Sequence, residues 1–160
     1  MMMKKTFSIL LCFCLFTVLM VGCGKSGADY DINKVLSDVE AATPIANPLD
    51  FNDDDLIYDM TIDKAMIDSY VGHRTGVNGA SGAVLVVKTV DGNVDTVKAQ
   101  LEAYCKSTAA FLANYPEFAA AQKQAEQGRV VAKGNYLVLA IAGEGTDYAA
   151  VDTAIEGALK

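Results

Sequence analysis

The chain reads as an α+β domain of two layers. A four-stranded antiparallel sheet made from two hairpins is expected, with helices packed on one face. Three observations lead there. Ser69–Thr75 with Gly82–Val90, and Arg129–Lys133 with Tyr136–Ala142, are paired apolar runs joined by glycine-bearing turns. Each pair is followed by a stretch of helical periodicity, so the order after residue 69 is strand, strand, helix, twice over, as a duplicated ββα unit would leave it. Four antiparallel strands can keep one face wet, which suits a chain of 160 residues that is 52% hydrophobic and 21% charged.

Taken in order, Asp31–Ala42 places Ile32, Val35, Leu36 and Val39 at helical spacing and stops at Thr43-Pro44. Ile45–Asp55 is a polar connector with Pro48 and a run of acids. In Leu56–Tyr70, the residues Ile62, Ala65 and Met66 indicate one or two helical turns. Val84-Leu85-Val86-Val87 is a strong buried-strand signal, and Asn78-Gly79 before it is a hairpin marker. Asp91-Gly92-Asn93 turns the chain. Asp95 then caps a helix to about Asn114, with Val97, Leu101, Tyr104, Cys105, Thr108 and Leu112 on its apolar face. Tyr115-Pro116 breaks it, and Glu117–Gln127 is helical again with Gly128 as its cap. Gly134-Asn135 forms a two-residue type II′ turn between the last two strands. Thr146 or Asp147 caps a final helix carrying Tyr148, Val151, Ile155 and Leu159.

The amino terminus is of another kind. Lys4 and Lys5 precede the almost wholly apolar Phe7–Val21, and small residues follow, which is the pattern of a secretory signal peptide. Met20-Val21-Gly22-Cys23 resembles the bacterial lipobox. That resemblance implies recognition of Met20, Val21 and Gly22 by signal peptidase, a diacylglyceryl group on the Cys23 thiol, and cleavage just before it. Two acyl chains on one residue anchor stably, where one is marginal. The expected organisation is a signal peptide at 1–22, a lipidated tether at 23–29 and a single α+β domain at 30–160. Within that domain, 30–68 is the acidic helical part and 69–160 the ββαββα core.

Charge narrows the function. The balance is −7, and loss of Lys4 and Lys5 with a leader takes it to −9. Nucleic-acid binding wants a basic footprint and is excluded as an expectation. The acid excess lies in residues 29–68, where Lys34 and Lys64 are the only bases. Such a segment will not hold an anionic bilayer, so the membrane contact is expected through the lipid on Cys23. With Cys12 and Cys14 in the leader and Cys23 lipidated, Cys105 is left alone and no intramolecular disulfide is expected.

The lipobox, the Val84–Lys88 strand, the long helix, Tyr115-Pro116-Glu117 and Lys133-Gly134-Asn135-Tyr136 together resemble the domain-of-unknown-function 4358 family. The resemblance covers most of residues 55–160 and departs at the Gly-rich loop Gly76–Gly82. It implies a small lipoprotein, chiefly of Gram-positive anaerobes, with α+β architecture. It implies no activity, cofactor or catalytic residue.

The remaining candidates carry weak signals. His73 is the single histidine, with no Gly-x-Ser-x-Gly elbow to serve and no second ligand at a metal spacing, so it reads as a polar strand position. Cys105 sits on an apolar helix face, where a nucleophile would want nearby cations; it reads as core. Asp50, Asn52, Asp53, Asp54, Asp55 and Asp59 begin like a calcium loop but lack its glycine and its final glutamate, where Thr61 stands; they read as a solvated connector. Gly76, Gly79 and Gly82 lead into a strand and not a helix, so they are not a nucleotide loop. No cofactor and no metal is expected. The expectation is a lipid-anchored extracytoplasmic binding or interaction module on the outer face of the cell membrane, its partner an envelope protein. The alternative is a small solute- or cation-binding lipoprotein using residues 50–59, and a hydrolytic enzyme is the remaining class.

Overall fold

The computed structural model describes residues 28–160; Met20, Val21, Gly22 and Cys23, and with them the leader and most of the tether, lie outside the described residues. The elements in chain order are α1 (Ile32–Glu40), β1 (Pro48–Asp50), β2 (Ile67–Thr75), β3 (Ala83–Thr89), α2 (Val94–Leu112), α3 (Ala119–Glu126), β4 (Arg129–Lys133), β5 (Tyr136–Ile141) and α4 (Tyr148–Ala158). A π-helical turn at Asp55–Asp59 and a 3₁₀ turn at Lys64–Met66 lie between β1 and β2. The strands form one antiparallel sheet in the order β1-β2-β3-β5-β4.

The caps follow local chemistry. Asp31 opens α1 by accepting from the Asn33 and Lys34 N–H groups at 2.9 and 3.3 Å. Asp147 opens α4 through the Ala149 N–H at 3.0 Å. Asn93, and not Asp95, occupies the cap of α2; Asp95 lies in its first turn, where a carboxylate suits the helix dipole. Gly134 takes φ +57° with no positive φ at Asn135, as a type II′ turn requires.

Two expectations are corrected. The sheet has five strands and not four: β1 comes out of the connector and pairs with β2, Leu49 opposite Arg74. Three residues headed by proline carry no alternation to read, and an edge strand tolerates Pro48 because its N–H need not join the ladder. The helices cover both faces and not one. Leu85, Val87, Leu137, Leu139 and Ile141 pack beneath α2 and α3, with Phe51, Leu56, Met60 and Ile62 completing that core. Val84, Val86, Tyr136, Val138 and Ala140 pack beneath α1 and α4. A strand buried on both faces has no polar side to show, which is why β3 and β5 read as unbroken apolar runs.

The second correction also removes the duplication. A two-fold axis relating the antiparallel neighbours β3 and β5 would stand perpendicular to the sheet and keep both following helices on one face. Instead α2 and α4 lie on opposite faces, so the two ββα halves are not symmetry mates.

Candidate functional site

His73 sits on the α1 side of β2, opposite Val84. Its Nδ1 lies 2.6 Å from Glu40 Oε1 at the end of α1, and its Nε2 lies 3.2 Å from Asp50 Oδ1 at the end of β1. The ring ties α1, β1 and β2 together, and each nitrogen faces a carboxylate, not a hydroxyl or thiol. Glu40 was not among the sequence candidates; a contact spanning 33 residues leaves no local pattern.

The acidic connector is the solvated run expected at Asp50, Asn52, Asp53, Asp54 and Asp59, which are exposed, but not at Asp55, which is buried. Phe51, Leu56, Met60 and Ile62 bury themselves in the core, which brings Asp53 and Asp55 within reach of Tyr70 and Arg74 on β2. Asn52 Oδ1 accepts from the N–H groups of Asp54 and Asp55 at 2.8 and 3.2 Å. Asp55 is 7% exposed, accepts from the Asn52 N–H at 2.9 Å, and meets Arg74 of β2 at 3.2 Å. Asp53 takes hydrogen bonds from Lys64 and, at 2.6 Å, from the Tyr70 hydroxyl. Lys64 first, and then Tyr70, hold the Asp53 carboxyl below its usual range. Burial, seconded by Asp53, pushes the Tyr70 hydroxyl up to about 12. So Asp50, Asp53 and Asp55 answer the chain's own His73, Lys64, Tyr70 and Arg74. Among the described residues no three His, Cys, Asp or Glu side chains come together as a metal cage.

A groove of about 670 Å³ runs between α2, α3 and β4. Small side chains make the room: Ala109 and Ala125 form the floor beside Cys105, and Lys106, Arg129 and Val130 stand on the walls. Gly128 is required here, since a Cβ on it would lie 2.7 Å from Cys105 Sγ. Arg129 holds the start of β4 to α4 by a fork onto Asp152 at 2.7 and 3.2 Å, and its guanidinium lies 4.4 Å from the centre of the Tyr148 ring. The Asp152 carboxylate raises the Arg129 pKa further.

Burial pushes the Cys105 thiol up to about 11. Iodoacetamide should therefore leave Cys105 unmodified in the folded protein at pH 8 and label it fully in denaturant; fast labelling of the native protein would contradict the buried, protonated thiol. Burial likewise lifts Tyr104 to about 12, as it does Tyr70. Folded values raised above the unfolded ones, about 8.5 for Cys and about 10 for Tyr, favour the neutral groups on folding. Their contribution is complete below the unfolded values and is lost as pH climbs through about 11 to about 12. Urea unfolding midpoints should thus fall between about pH 9 and pH 11; a flat profile would count against these environments.

Two poles complete the surface. At one, Asp29 accepts from the Tyr136 hydroxyl and from Lys88, while Tyr30 stands edge-on to Tyr136 at 5.1 Å and donates to Leu159 O at 3.0 Å. Lys88 and Tyr136 are partners at the far end of β3 from the 76–82 loop. At that loop's end, Phe111, Tyr115 and Phe118 form a ring cluster with centroids 5.9 and 5.2 Å apart. Phe111 is 57% and Tyr115 43% exposed. Gly79, at φ +77°, lets the loop lie on Phe118, whose ring stands 2.1 Å from where a Cβ would be. Phe111 lies in the last turn of α2 and Tyr115 beyond its end, at the expected break, so no periodicity within one helix marked the cluster.

These features define a small three-layer α+β domain with an open groove, a bare sheet edge and an exposed aromatic pole. The chain belongs to the family described as domain of unknown function DUF4358, whose model matches residues 41–142. The match runs from just after α1 through β5, so α1 and α4 both fall outside it. No curated protein and no solved structure matches the chain. Among the described residues no helix is long and apolar enough to cross a membrane.

Proposed function

We propose that the chain is a lipid-anchored extracytoplasmic bacterial lipoprotein acting as a binding module at the cell envelope. The observation that carries this is the separation of its two poles. Cys23 precedes Asp29 by a reach of about 20 Å of extended chain, so the Asp29–Tyr136 pole would face the bilayer. The Phe111–Tyr115 cluster lies a strand length away, about 20 Å, and would face outward. Exposed aromatic rings clustered in this way supply large contact area at low entropic cost, which suits an envelope protein partner. The solute- or cation-binding alternative through residues 50–59 has less support, because that segment is folded into the core and its carboxylates meet cations of the same chain.

A photoreactive residue at position 111, used in cells, tests the proposal. The wild-type leader should give a discrete envelope crosslink that is lost with Tyr115→Ser and lost with Cys23→Ser. Cys23→Ser should also leave the leader uncleaved and the protein without acyl chains. Unchanged processing and membrane partition of Cys23→Ser would end the lipoprotein proposal, whereas a normal lipoprotein without a Tyr115-dependent crosslink would end the docking role of the aromatic pole.

A further inference from the structure

The two outer edges of the sheet differ. β1 is three residues long and carries Pro48 and Asp50, devices that blunt an edge. β4 presents Val130-Val131-Ala132 at its centre and, among the described residues, pairs with β5 alone. The two-residue turn at Gly134-Asn135 makes Lys133 and Tyr136 a mutually hydrogen-bonded pair, so Arg129, Val131 and Lys133 bond inward. The backbone groups of Val130 and Ala132 then point outward. The Thr89 N–H donating to Asn135 O at 2.8 Å, on the other side of β5, fixes the same phase.

Charge says what such an edge would accept. The groove beneath one face of β4 carries Lys106 and Arg129 against Glu102 and Glu126, so on that side its small apolar floor, and not charge, selects the ligand. Lys133 and Lys160 line a hollow on its other face with Ile155, Leu159 and one acid, Glu156, which leaves that side net positive. Among the described residues, Lys106, Lys123, Lys133 and Lys160 are the cations without a carboxylate partner, in a chain of net charge −7. A second copy adding through its own β4 would set Arg129 against Lys133 across a two-fold axis, like charge on like.

We propose that β4 is a docking edge for an extended acidic peptide of a protein partner. The peptide adds as a sixth strand and bonds to the outward N–H and C=O groups of Val130 and Ala132. Its alternate side chains fall on the two faces: the apolar set enters the groove over Ala109 and Ala125, and the acidic set meets Lys133 and Lys160. This rests on β4 and its flanks, and stands apart from lipidation of Cys23 and from the aromatic pole.

The test uses the full chain in detergent micelles and a labelled acetyl-Glu-Val-Glu-Leu-Glu-Val-Glu-amide peptide, with a Lys-for-Glu peptide as its opposite. The acidic peptide should bind saturably, weaken as salt rises, and slow amide exchange at Val130 and Ala132. The basic peptide should not bind. Val130→Pro removes an outward N–H without touching the β5 ladder and should abolish binding. Lys133→Glu with Lys160→Glu leaves the edge intact and should weaken binding at least about tenfold; this double variant carries the test if Val130→Pro does not fold. No binding of the acidic peptide at millimolar concentration, equal binding of the basic one, or binding without protection at Val130 and Ala132 would each overturn the proposal.

Discussion

Leu139→Ala should destabilise the domain by about 2–5 kcal/mol, the range for truncating a fully buried leucine whose site cannot collapse. Leu139 is 0% exposed and sits on β5, second from one edge of the sheet, facing α2. Strands hydrogen-bonded on either side hold the cavity open. The neighbouring Val138 gives the sharper comparison. In a two-layer sheet with a wet face it would be exposed, and Val138→Ala would change little. Val138 is 0% exposed beneath α1 and α4, so removing its two methyl groups should cost about 2 kcal/mol. Urea unfolding of the two variants distinguishes the architectures: losses in both match the three-layer core, whereas a neutral Val138→Ala would mean that the α1–α4 layer is not packed on the sheet.

That comparison marks where the sequence was legible. Period and turn chemistry located β2, β3, β4 and β5 and both long helices, because each is a run whose neighbours in sequence decide it. Val84-Leu85-Val86-Val87 also carried the news that both faces are covered, since a one-sided strand would alternate. What outweighed it was the order of elements, which favoured two equivalent ββα halves. Which face a helix takes is set by the connection and by long-range packing, and these leave no periodic trace. The site was less legible still. Arg129–Asp152, His73–Glu40 and Tyr148–Gln124 join residues from different elements, and no spacing within one element announces them. The edge at β4 was visible only as a short strand; that nothing pairs with Val130 and Ala132 among the described residues required the strand order.

Asp55→Ala should lower stability by about 2 kcal/mol, while Asp54→Ala, one residue away in the same acidic run, should stay within about 0.5 kcal/mol. The two differ in what surrounds them. Asp54 is exposed, and its main-chain N–H is what Asn52 caps. The Asp55 side chain is 8% exposed and joins the turn at Asn52 to Arg74 on β2, so its loss leaves a guanidinium beside the core without its counter-charge. Arg74 is 35% exposed, and water softens that loss, which is why the figure lies below the usual cost of breaking a fully buried pair. The same variants ask what the acidic run is for. If its carboxylates form a cation site, neutralising either aspartate relieves repulsion and stabilises the metal-free protein, with Asp54 and Asp55 behaving alike. If they fasten the connector to the sheet, Asp55 alone matters, and millimolar Ca²⁺ moves neither midpoint. Chemical denaturation of the two variants, with and without Ca²⁺, separates these cases, and the burial of Asp55 against Arg74 favours the second.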